Sequence, residues 1–291
     1  MSISARDKRK KLRDILNGNK CVPVPGVIDA LGARIVEEAG FEAAFIGSYA
    51  LAACGYAFPD VGLVTLTESL QAYKHIADAI DIPLIVDGEQ GYYHAANIWR
   101  TVKETEDAGI AGMHIEDHEI GKHMKFPPQI YDTEKMCNKI KAAVDARTDE
   151  NFIIIARTDA AWITKDIDIA IERANRYLEA GADAAYVIGA DIVPDIFPND
   201  LAKRVHGPLV GVSCPGVTVE QQTAQGLKLS LYWTLCMSAA FGAQKEVLEK
   251  FKATGDYQTA LGKYAFDEKL INQYTRVDEF QYRADKYMNL Q

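Results

Sequence analysis

Short apolar stretches alternate with helix-like stretches along most of the chain, and this alternation limits the possible fold more than any other feature. Eight stretches are rich in apolar and β-branched residues and are short enough to be buried strands. Several segments between them carry apolar residues three or four positions apart, which is typical of amphipathic helices. The predicted strands are Cys21–Pro25, Ala43–Ser48, Pro83–Asp87, Gly112–Glu116, Phe152–Ala156, Ala184–Ile188, Pro208–Val212 and Leu229–Trp233, and the predicted helices include Ala30–Ala39, Leu66–Ala79, Ala95–Ala108, Thr133–Arg147 and Ile167–Ala180.

Alternation of this kind indicates a parallel sheet with crossover helices. Eight repeats within roughly 250 residues favour a closed (β/α)8 TIM barrel over an open doubly wound sheet. We therefore predict a single barrel domain over residues 1–291, although this length could hold two average domains. Residues 235–291 have the pattern of several helices, which is more than the eighth barrel helix needs. We expect this extension to pack on a neighbouring subunit, in a homo-oligomer for which a tetramer is favoured.

Composition limits the kinds of binding partner and the cellular compartment that can be expected for this chain. The formal charge of −9 argues against a nucleic-acid partner, because phosphate binding needs a surplus of Lys and Arg. The five cysteines are scattered without a CxxC pair, which fits a reducing cytoplasm better than a disulfide framework or a zinc site. No run of 18 apolar residues occurs, so no membrane segment is predicted. The basic N-terminal run is expected to form the solvated face of a leading helix rather than a transit peptide.

Acidic residues and one arginine end three consecutive predicted strands. These are Asp87 and Glu89, then Glu116 and Asp117, then Arg157 and Asp159. The active site of such a barrel lies at the carboxyl ends of its strands, so these groups should converge there. A set of oxygen ligands without nearby Cys favours Mg²⁺, with Mn²⁺ as an alternative, over zinc. A single acid after a strand is more often a helix cap, and His114 is more simply explained as a barrel-interior histidine than as a ligand.

Several spaced motifs resemble the isocitrate lyase/phosphoenolpyruvate mutase superfamily. They occur in the family's order over about residues 20–190. No HExxH, GxSxG or P-loop pattern competes with this resemblance. The matching segments are P-G-V-I-D-A-L-G-A-R (25–34), E-A-G-F (38–41), F-P-D-V-G-L (58–63), V-D-G-E-Q-G-Y-Y (86–93), N-I-W-R-T-V (97–102), I-E-D (115–117) and I-I-A-R-T-D-A (154–160).

The resemblance implies a role for each matching residue. Asp87 would bind Mg²⁺ directly, and Glu89, Glu116 and Asp60 would bind it directly or through water. Arg157 would hold a substrate oxygen or carboxylate. The turn formed by Ser48, Tyr49 and Ala50 would bind the C1 carboxylate of the substrate. The reaction would then pass through an enolate whose charge is stabilised by the cation and Arg157 together.

The segment that the family uses as a gating loop departs from the lyase pattern. The lyases carry a cysteine there as a general acid, but this chain has Lys122, His123, Met124, Lys125 and Phe126. A thioether cannot donate a proton, so we expect Lys122, a bound water or, failing these, His123 to do so.

Substitutions around the pocket also depart from the family pattern. Ile188 replaces a glutamate of the lyases, while Tyr49 and Tyr93 replace glycines. These residues predict a smaller and less polar pocket that disfavours bulky tricarboxylates such as methylisocitrate.

The sequence thus predicts a Mg²⁺-dependent carbon–carbon lyase or decarboxylase that acts on a small 2-oxo or 2-hydroxy dicarboxylic acid, with oxaloacetate favoured. Two alternatives stay open. The first is an enzyme that breaks or moves a C–P bond, of the phosphonopyruvate hydrolase or phosphoenolpyruvate mutase type. The second is a non-catalytic barrel that binds a carboxylate.

Overall fold

The described part of the chain contains eight parallel strands with helices between them, which confirms the predicted TIM barrel. The computed structural model describes residues 3–119, 124 and 129–288. All eight predicted strands are present with small shifts at their ends. The strands are β1 Val22–Pro25, β2 Ala44–Ile46, β3 Leu84–Asp87, β4 Gly112–Glu116, β5 Ile153–Thr158, β6 Ala184–Val187, β7 Leu209–Val212 and β8 Leu229–Tyr232.

The strands follow their order in the chain around the barrel. Each strand pairs in parallel with the next from β2 to β8, and β8 pairs with β1. A bridge between Gly26 and Phe45 joins the ends of β1 and β2, where the Val27 N–H donates to the Phe45 carbonyl at 2.8 Å. Gly26 is required at this seam, because a Cβ there would lie 2.3 Å from the Trp233 carbonyl oxygen. The sheet therefore closes, and all carboxyl ends of its strands meet on one face.

Five predicted helices are found within one residue of their expected bounds, and polar caps fix several of their first turns. Thr65 and Glu68 form a reciprocal capping box at the start of one of them. The helices are α1 Ala5–Leu16, α2 Ala30–Glu38, α3 Ser48–Ala50, α4 Leu66–Ala79, α5 Ala95–Asp107, α6 Thr133–Ala146, α7 Ala160–Thr164, α8 Ile167–Glu179, α9 Leu201–Arg204, α10 Val219–Ala224, α11 Leu235–Thr254, α12 Tyr257–Leu261, α13 Glu268–Tyr274 and α14 Val277–Met288.

The leading helix α1 closes the amino-terminal end of the barrel. Its Leu12 and Leu16 are buried in the same apolar cluster as the inward-facing strand residues. The expectation of a solvated basic face is wrong for Lys8 and Arg9, which are buried. The Lys8 ammonium donates to the carbonyls of Ala77 and Ile80, and the Arg9 guanidinium donates to the Ile110 carbonyl at 3.0 Å. These cations satisfy carbonyls at the ends of other elements and so fix the helix in place.

The chain divides into two compact units, Met1–Leu235 and Cys236–Gln291. The first contains the barrel, and the second contains most of α11 together with α12 to α14. In α11 no described residue is buried, and Phe241 and Leu248 expose 69% and 65% of their surface. Among the described residues, no helix is both long and apolar enough to span a bilayer. The prediction of one domain that includes this extension stays a prediction.

Candidate active site

Three buried carboxylates meet at the carboxyl end of the barrel. Asp87 is the last residue of β3, Glu116 is the last residue of β4, and Glu89 follows β3 by two positions. One oxygen from each lies within 4.8 Å of the other two. Side chains two positions apart on a strand share a face, which is why His114 and Glu116 both point into the barrel. Like charges this close repel, so the cluster fits a site for a divalent cation.

The backbone of Glu89 holds this cluster together. Its N–H donates to Asp87 Oδ1 at 2.8 Å, and its carbonyl accepts from the Glu116 N–H at 2.9 Å. Glu89 has a φ of +48°, a left-handed conformation that costs free energy in a residue with a side chain. The preceding Gly88 is also constrained, because a Cβ there would lie 2.7 Å from the His114 carbonyl oxygen. The tight turn after β3 is thus built to aim Glu89 back at its neighbours.

The short helix α3 brings Ser48 to the same cluster. The Ser48 hydroxyl donates to Asp87 Oδ2 at 2.9 Å, and its N–H lies 3.3 Å from the same oxygen. Tyr49 is 39% exposed and contacts Trp233 edge-on, with ring centroids 5.4 Å apart. Ala50 is buried. The structure therefore places the predicted carboxylate-binding turn beside Asp87.

Arg157 supplies positive charge next to the carboxylates. Its guanidinium forms a two-bond pair with Asp159, at 2.8 and 3.1 Å, and lies 3.0 Å from Glu116 Oε2. Burial alone would lower the pKa of Arg157, but the negative charges of Asp159, Glu116 and Asp87 raise that pKa well above its usual value. Arg157 is therefore a permanent cation in a fixed orientation.

Asp117, the residue after Glu116, lies in a separate network. It accepts hydrogen bonds from the hydroxyls of Thr158 and Tyr177 at 2.7 and 2.8 Å and from the Asp159 N–H at 2.9 Å. Arg173 lies 3.3 Å from the same carboxylate. Asp117 therefore fixes β4 against β5 and α8 and is not part of the three-acid cluster.

A small cavity adjoins the cluster. Its volume is about 100 Å³, which suits a ligand of a few heavy atoms rather than a drug-sized molecule. Asp60 and Ile188, both predicted as site residues, lie on its wall, although Asp60 is outside the three-acid cluster of the described residues. The full lining is Phe45, Gly47, Tyr49, Asp60, His114, Arg157, Trp162, Tyr186, Ile188, Asp191, Ile192 and Trp233.

Two sequence expectations fare differently here. His114 lies in the barrel interior as predicted, between the rings of Phe45 and Tyr186, and its Nδ1 is 3.6 Å from Asp87 Oδ1.

Tyr93 was expected to narrow the pocket, and this is wrong, because Tyr93 is 61% exposed and does not line the cavity. Lys122 and His123 lie outside the described residues.

Asp191 was missed by the sequence reasoning. It follows β6 by four positions and lines the cavity, where its Oδ1 is buried without a hydrogen-bond partner in the described part of the chain. Burial raises the pKa of the Asp191 carboxyl, while hydrogen bonding by Trp233 and the charge of Arg157 act in the opposite direction. Only inspection of the whole β6–α9 connection, beyond the residue at the strand end, could have found it.

Comparisons with known proteins identify the family of this chain. The family profile described as phosphoenolpyruvate phosphomutase matches residues 12–252. The chain is 34% identical to a probable 2-methylisocitrate lyase 2 of Corynebacterium glutamicum, covering 98% of this chain and 96% of that protein. It is 42% identical to a 2,3-dimethylmalate lyase of Eubacterium barkeri (87% and 88% covered) and 33% identical to an oxaloacetate decarboxylase of Rhodopseudomonas palustris (98% of each). A crystal structure of phosphonopyruvate hydrolase with oxalate and Mg²⁺ matches with a TM-score of 0.89 at 27% identity, covering 99% of this chain and 100% of that one.

Proposed function

Because the chain belongs to the isocitrate lyase/phosphoenolpyruvate mutase superfamily, we propose that it is a Mg²⁺-dependent carbon–carbon lyase or decarboxylase. The substrate is a small 2-oxo or 2-hydroxy dicarboxylic acid, with oxaloacetate favoured. One observation carries the proposal: Arg157, which lines a cavity of about 100 Å³, is fixed against a cluster of three buried carboxylates. The relatives named lyase and decarboxylase support the reaction class.

Asp87, Glu89 and Glu116 would hold the cation, with Asp60 reaching it through water. Their donor set consists of carboxylate oxygens, which suits Mg²⁺ and also Mn²⁺. When bound, the cation supplies positive charge beside the C2 oxygen of the substrate, where negative charge develops. The Mg²⁺ named with the phosphonopyruvate hydrolase structure supports this choice of metal.

The chain's own residues would orient the substrate and stabilise the enolate. The guanidinium of Arg157 would donate to the C2 oxygen, because it is held rigidly by Asp159 and Glu116. The turn at Ser48, Tyr49 and Ala50 would bind the C1 carboxylate. Lys122 or a bound water, with His123 as the next candidate, would deliver the proton to carbon after bond cleavage.

The substrate preference follows from the cavity wall. Ile188 and Tyr49 offer no charge to a distal carboxylate, and Arg157 is the cation among the described lining residues. Burial of an unpaired carboxylate costs several kcal/mol, which corresponds to a rate lower by about 10²-fold or more. Oxaloacetate should therefore be turned over faster than methylisocitrate.

A substrate panel tests this proposal. Oxaloacetate, 2,3-dimethylmalate, methylisocitrate and phosphonopyruvate are incubated with enzyme and Mg²⁺, and the products are identified by NMR. Addition of EDTA should abolish turnover of every substrate. Efficient cleavage of methylisocitrate, or full activity in a metal-free preparation, would contradict the proposal.

C–P bond chemistry is a second candidate, favoured by the likeness to phosphonopyruvate hydrolase over the whole chain. A phosphonate carries more negative charge than a carboxylate, yet the described cavity wall provides only Arg157 as a cation. Release of phosphate from phosphonopyruvate at a higher kcat/KM than oxaloacetate turnover would favour this candidate. Ligand binding without turnover on the whole panel would instead favour a non-catalytic barrel.

The exposed apolar residues of the helical unit support a homo-oligomer. Phe241, Leu248 and Phe251 of α11 are at least 45% exposed in the single chain. We propose that they pack on a neighbouring copy in a cytoplasmic homotetramer. Light scattering of the protein as it elutes from a size-exclusion column measures its mass in solution. Phe241→Asp should shift this mass towards that of the monomer.

A further inference from the structure

The outer wall of the active-site cavity combines apolar side chains with one acid. Ile188, Ile192 and Trp162 offer hydrocarbon surface, whereas Asp191 lines the same cavity with a carboxylate. A carboxylate among apolar side chains of a cavity wall can accept a hydrogen bond from a ligand that lies against it. Asp191 is therefore placed to contact a ligand in this cavity.

The charges around Asp191 decide which kind of donor fits. A second substrate carboxylate that keeps its charge would be repelled by Asp191, whereas the leaving carboxylate of oxaloacetate loses its charge as CO2. The described lining has no further cation beside Arg157, which is already paired with Asp159 and Glu116. A neutral hydroxyl can donate to the Asp191 carboxylate while a short alkyl group lies against Ile188 and Ile192. The outer cavity thus matches a hydroxylated, uncharged substrate end.

We propose that the enzyme also cleaves short-chain 4-hydroxy-2-oxo acids by a retro-aldol reaction in which Asp191 accepts the proton of the C4 hydroxyl. This inference rests on the proposed function in one respect, namely that the site stabilises the enolate of a 2-oxo acid. The C1 carboxylate and C2 oxygen would occupy the same positions as those of oxaloacetate. Carbons 3 and 4 would then point towards the outer wall, where oxaloacetate has its leaving carboxylate.

The reaction balances without any oxidant or reductant. Asp191 removes the proton from the C4 hydroxyl, the C4–O bond becomes a carbonyl, and the C3–C4 bond breaks. The electron pair of that bond forms the C2–C3 double bond, and the negative charge moves to the C2 oxygen beside Arg157. An aldehyde leaves, carbon 3 takes a proton from water, and Asp191 returns its proton to solvent. The products are one aldehyde and pyruvate.

The surroundings of Asp191 suit a general base. Burial raises its pKa, which strengthens the carboxylate as a proton acceptor, while the charge of Arg157 and the Trp233 side chain favour its ionised form. No metal-binding acid is within two positions of it in the chain. Decarboxylation of oxaloacetate breaks the corresponding C3–C4 bond and releases CO2, so it needs no base at the position of Asp191.

Two substrates that both yield pyruvate test the inference. Purified enzyme with Mg²⁺ is given 4-hydroxy-2-oxopentanoate or oxaloacetate, and pyruvate is measured with a coupled lactate dehydrogenase assay against an enzyme-free control. Exchange of the pyruvate methyl protons in D2O, followed by NMR, reports enolate formation alone. We expect acetaldehyde and pyruvate in equal amounts from the hydroxy acid.

Asp191→Asn keeps the size of the side chain but removes the base. It should reduce kcat/KM for 4-hydroxy-2-oxopentanoate by about 10²-fold or more relative to its effect on methyl exchange, and remove the acidic limb of the pH profile. Asp195→Asn, an exposed acid on the same connection that does not line the cavity, is the matched control and should behave as wild type.

The outcomes separate the two proposals. Methyl exchange and oxaloacetate turnover without cleavage of the hydroxy acid would overturn the inference and leave the proposed function standing, as would hydroxy acid cleavage by Asp191→Asn at the wild-type rate. Hydroxy acid cleavage without oxaloacetate turnover would support the inference and contradict the preference for oxaloacetate. Absence of all three activities would overturn both.

Discussion

Glu116 and Asp117 are neighbours in the chain but belong to two groups of buried acids with different electrostatic environments. Glu116 points into the barrel, where its carboxylate lies within 4.8 Å of those of Asp87 and Glu89. Asp117 points outwards and accepts hydrogen bonds from two hydroxyls and one N–H. The outer acid is satisfied by the protein's own donors, while the inner acids together carry more negative charge than the nearby arginine can balance.

This difference between the inner and outer acids predicts which substitutions change catalysis and which change stability. Removal of an inner acid relieves repulsion and should affect catalysis more than folding. Removal of the outer acid leaves buried donors without an acceptor and should affect folding more than catalysis. The following substitutions test this separation.

The largest effect is expected for Asp87→Ala. Loss of this ligand should abolish Mg²⁺ binding in calorimetry and reduce turnover by about 10³-fold or more, since the cation contributes several kcal/mol to the reaction. In EDTA the variant should lose less stability than Asp117→Ala, because the relief of repulsion among the acids offsets part of the loss of an acceptor for the Glu89 N–H and the Ser48 hydroxyl. Retained Mg²⁺ affinity would show that the cation binds elsewhere.

Arg157→Lys tests the cation that belongs to the inner group. Lysine keeps the charge but loses the planar fork that pairs with Asp159 while facing Glu116. Turnover should fall by about 10²-fold or more, the range seen when one transition-state donor is removed. Steady-state kinetics provide the measurement, and a near-native rate would make Arg157 a structural residue.

Asp117→Ala tests the outer group. The change leaves Tyr177, Thr158 and Arg173 without their buried acceptor, so the free energy of unfolding should fall by about 3 kcal/mol. Denaturant unfolding in EDTA measures this loss. The Mg²⁺ affinity of the folded fraction should stay near that of the wild type, and a variant that folds normally but binds no Mg²⁺ would contradict the separation.

In contrast to these buried acids, Lys139 is a buried cation that interacts with Glu116. Its ammonium lies 4.0 Å from the ring centre of Tyr131 and has no hydrogen-bond partner in the described residues. Burial and the charge of Lys135 lower the pKa of Lys139 from its usual 10.5 to about 8, although Glu116 and Glu119 act against this shift.

Lys139→Met should therefore stabilise the metal-free protein at pH 7, by about 1 kcal/mol. Above a pH of about 8 the folded wild type loses this proton while the unfolded chain keeps it up to 10.5, so wild-type stability rises with pH in that window. The advantage of the variant should shrink there. Chemical unfolding at several pH values is the measurement, and a variant less stable than wild type at pH 7 would show that the ammonium is stabilising.

Much of the fold and the inner cluster could be predicted because both follow from local pattern. Every strand carries its own apolar signature, and strand alternation brings Glu116 into the barrel. The expectation that Asp117 would converge with it is wrong, because Asp117 is the next residue and so lies on the opposite face, where it contacts Thr158 and Tyr177. Two acids separated by one glycine also indicated the turn after β3.

Other features depend on contacts that no local pattern contains. Lys8 and Arg9 resemble surface residues until carbonyls from distant elements meet them. Asp191 has no motif around it and becomes a cavity residue only when the β6–α9 connection folds over the barrel end. Tyr93 was assigned to the pocket because it replaces a family glycine, but its side chain is 61% exposed and does not line the cavity.

The left-handed turn at Glu89 has a consequence for how a metal would exchange at the three acids. Hydrogen bonds from the Glu89 N–H to Asp87 and from the Glu116 N–H to the Glu89 carbonyl link the backbone at the three acids before any cation arrives. The free energy of folding, and not that of metal binding, therefore compensates for the strain at Glu89. A cation that binds the three acids would then enter or leave by exchanging water for carboxylate oxygens, without a change of the loop backbone, and we expect its affinity to depend on the barrel rather than on loop folding.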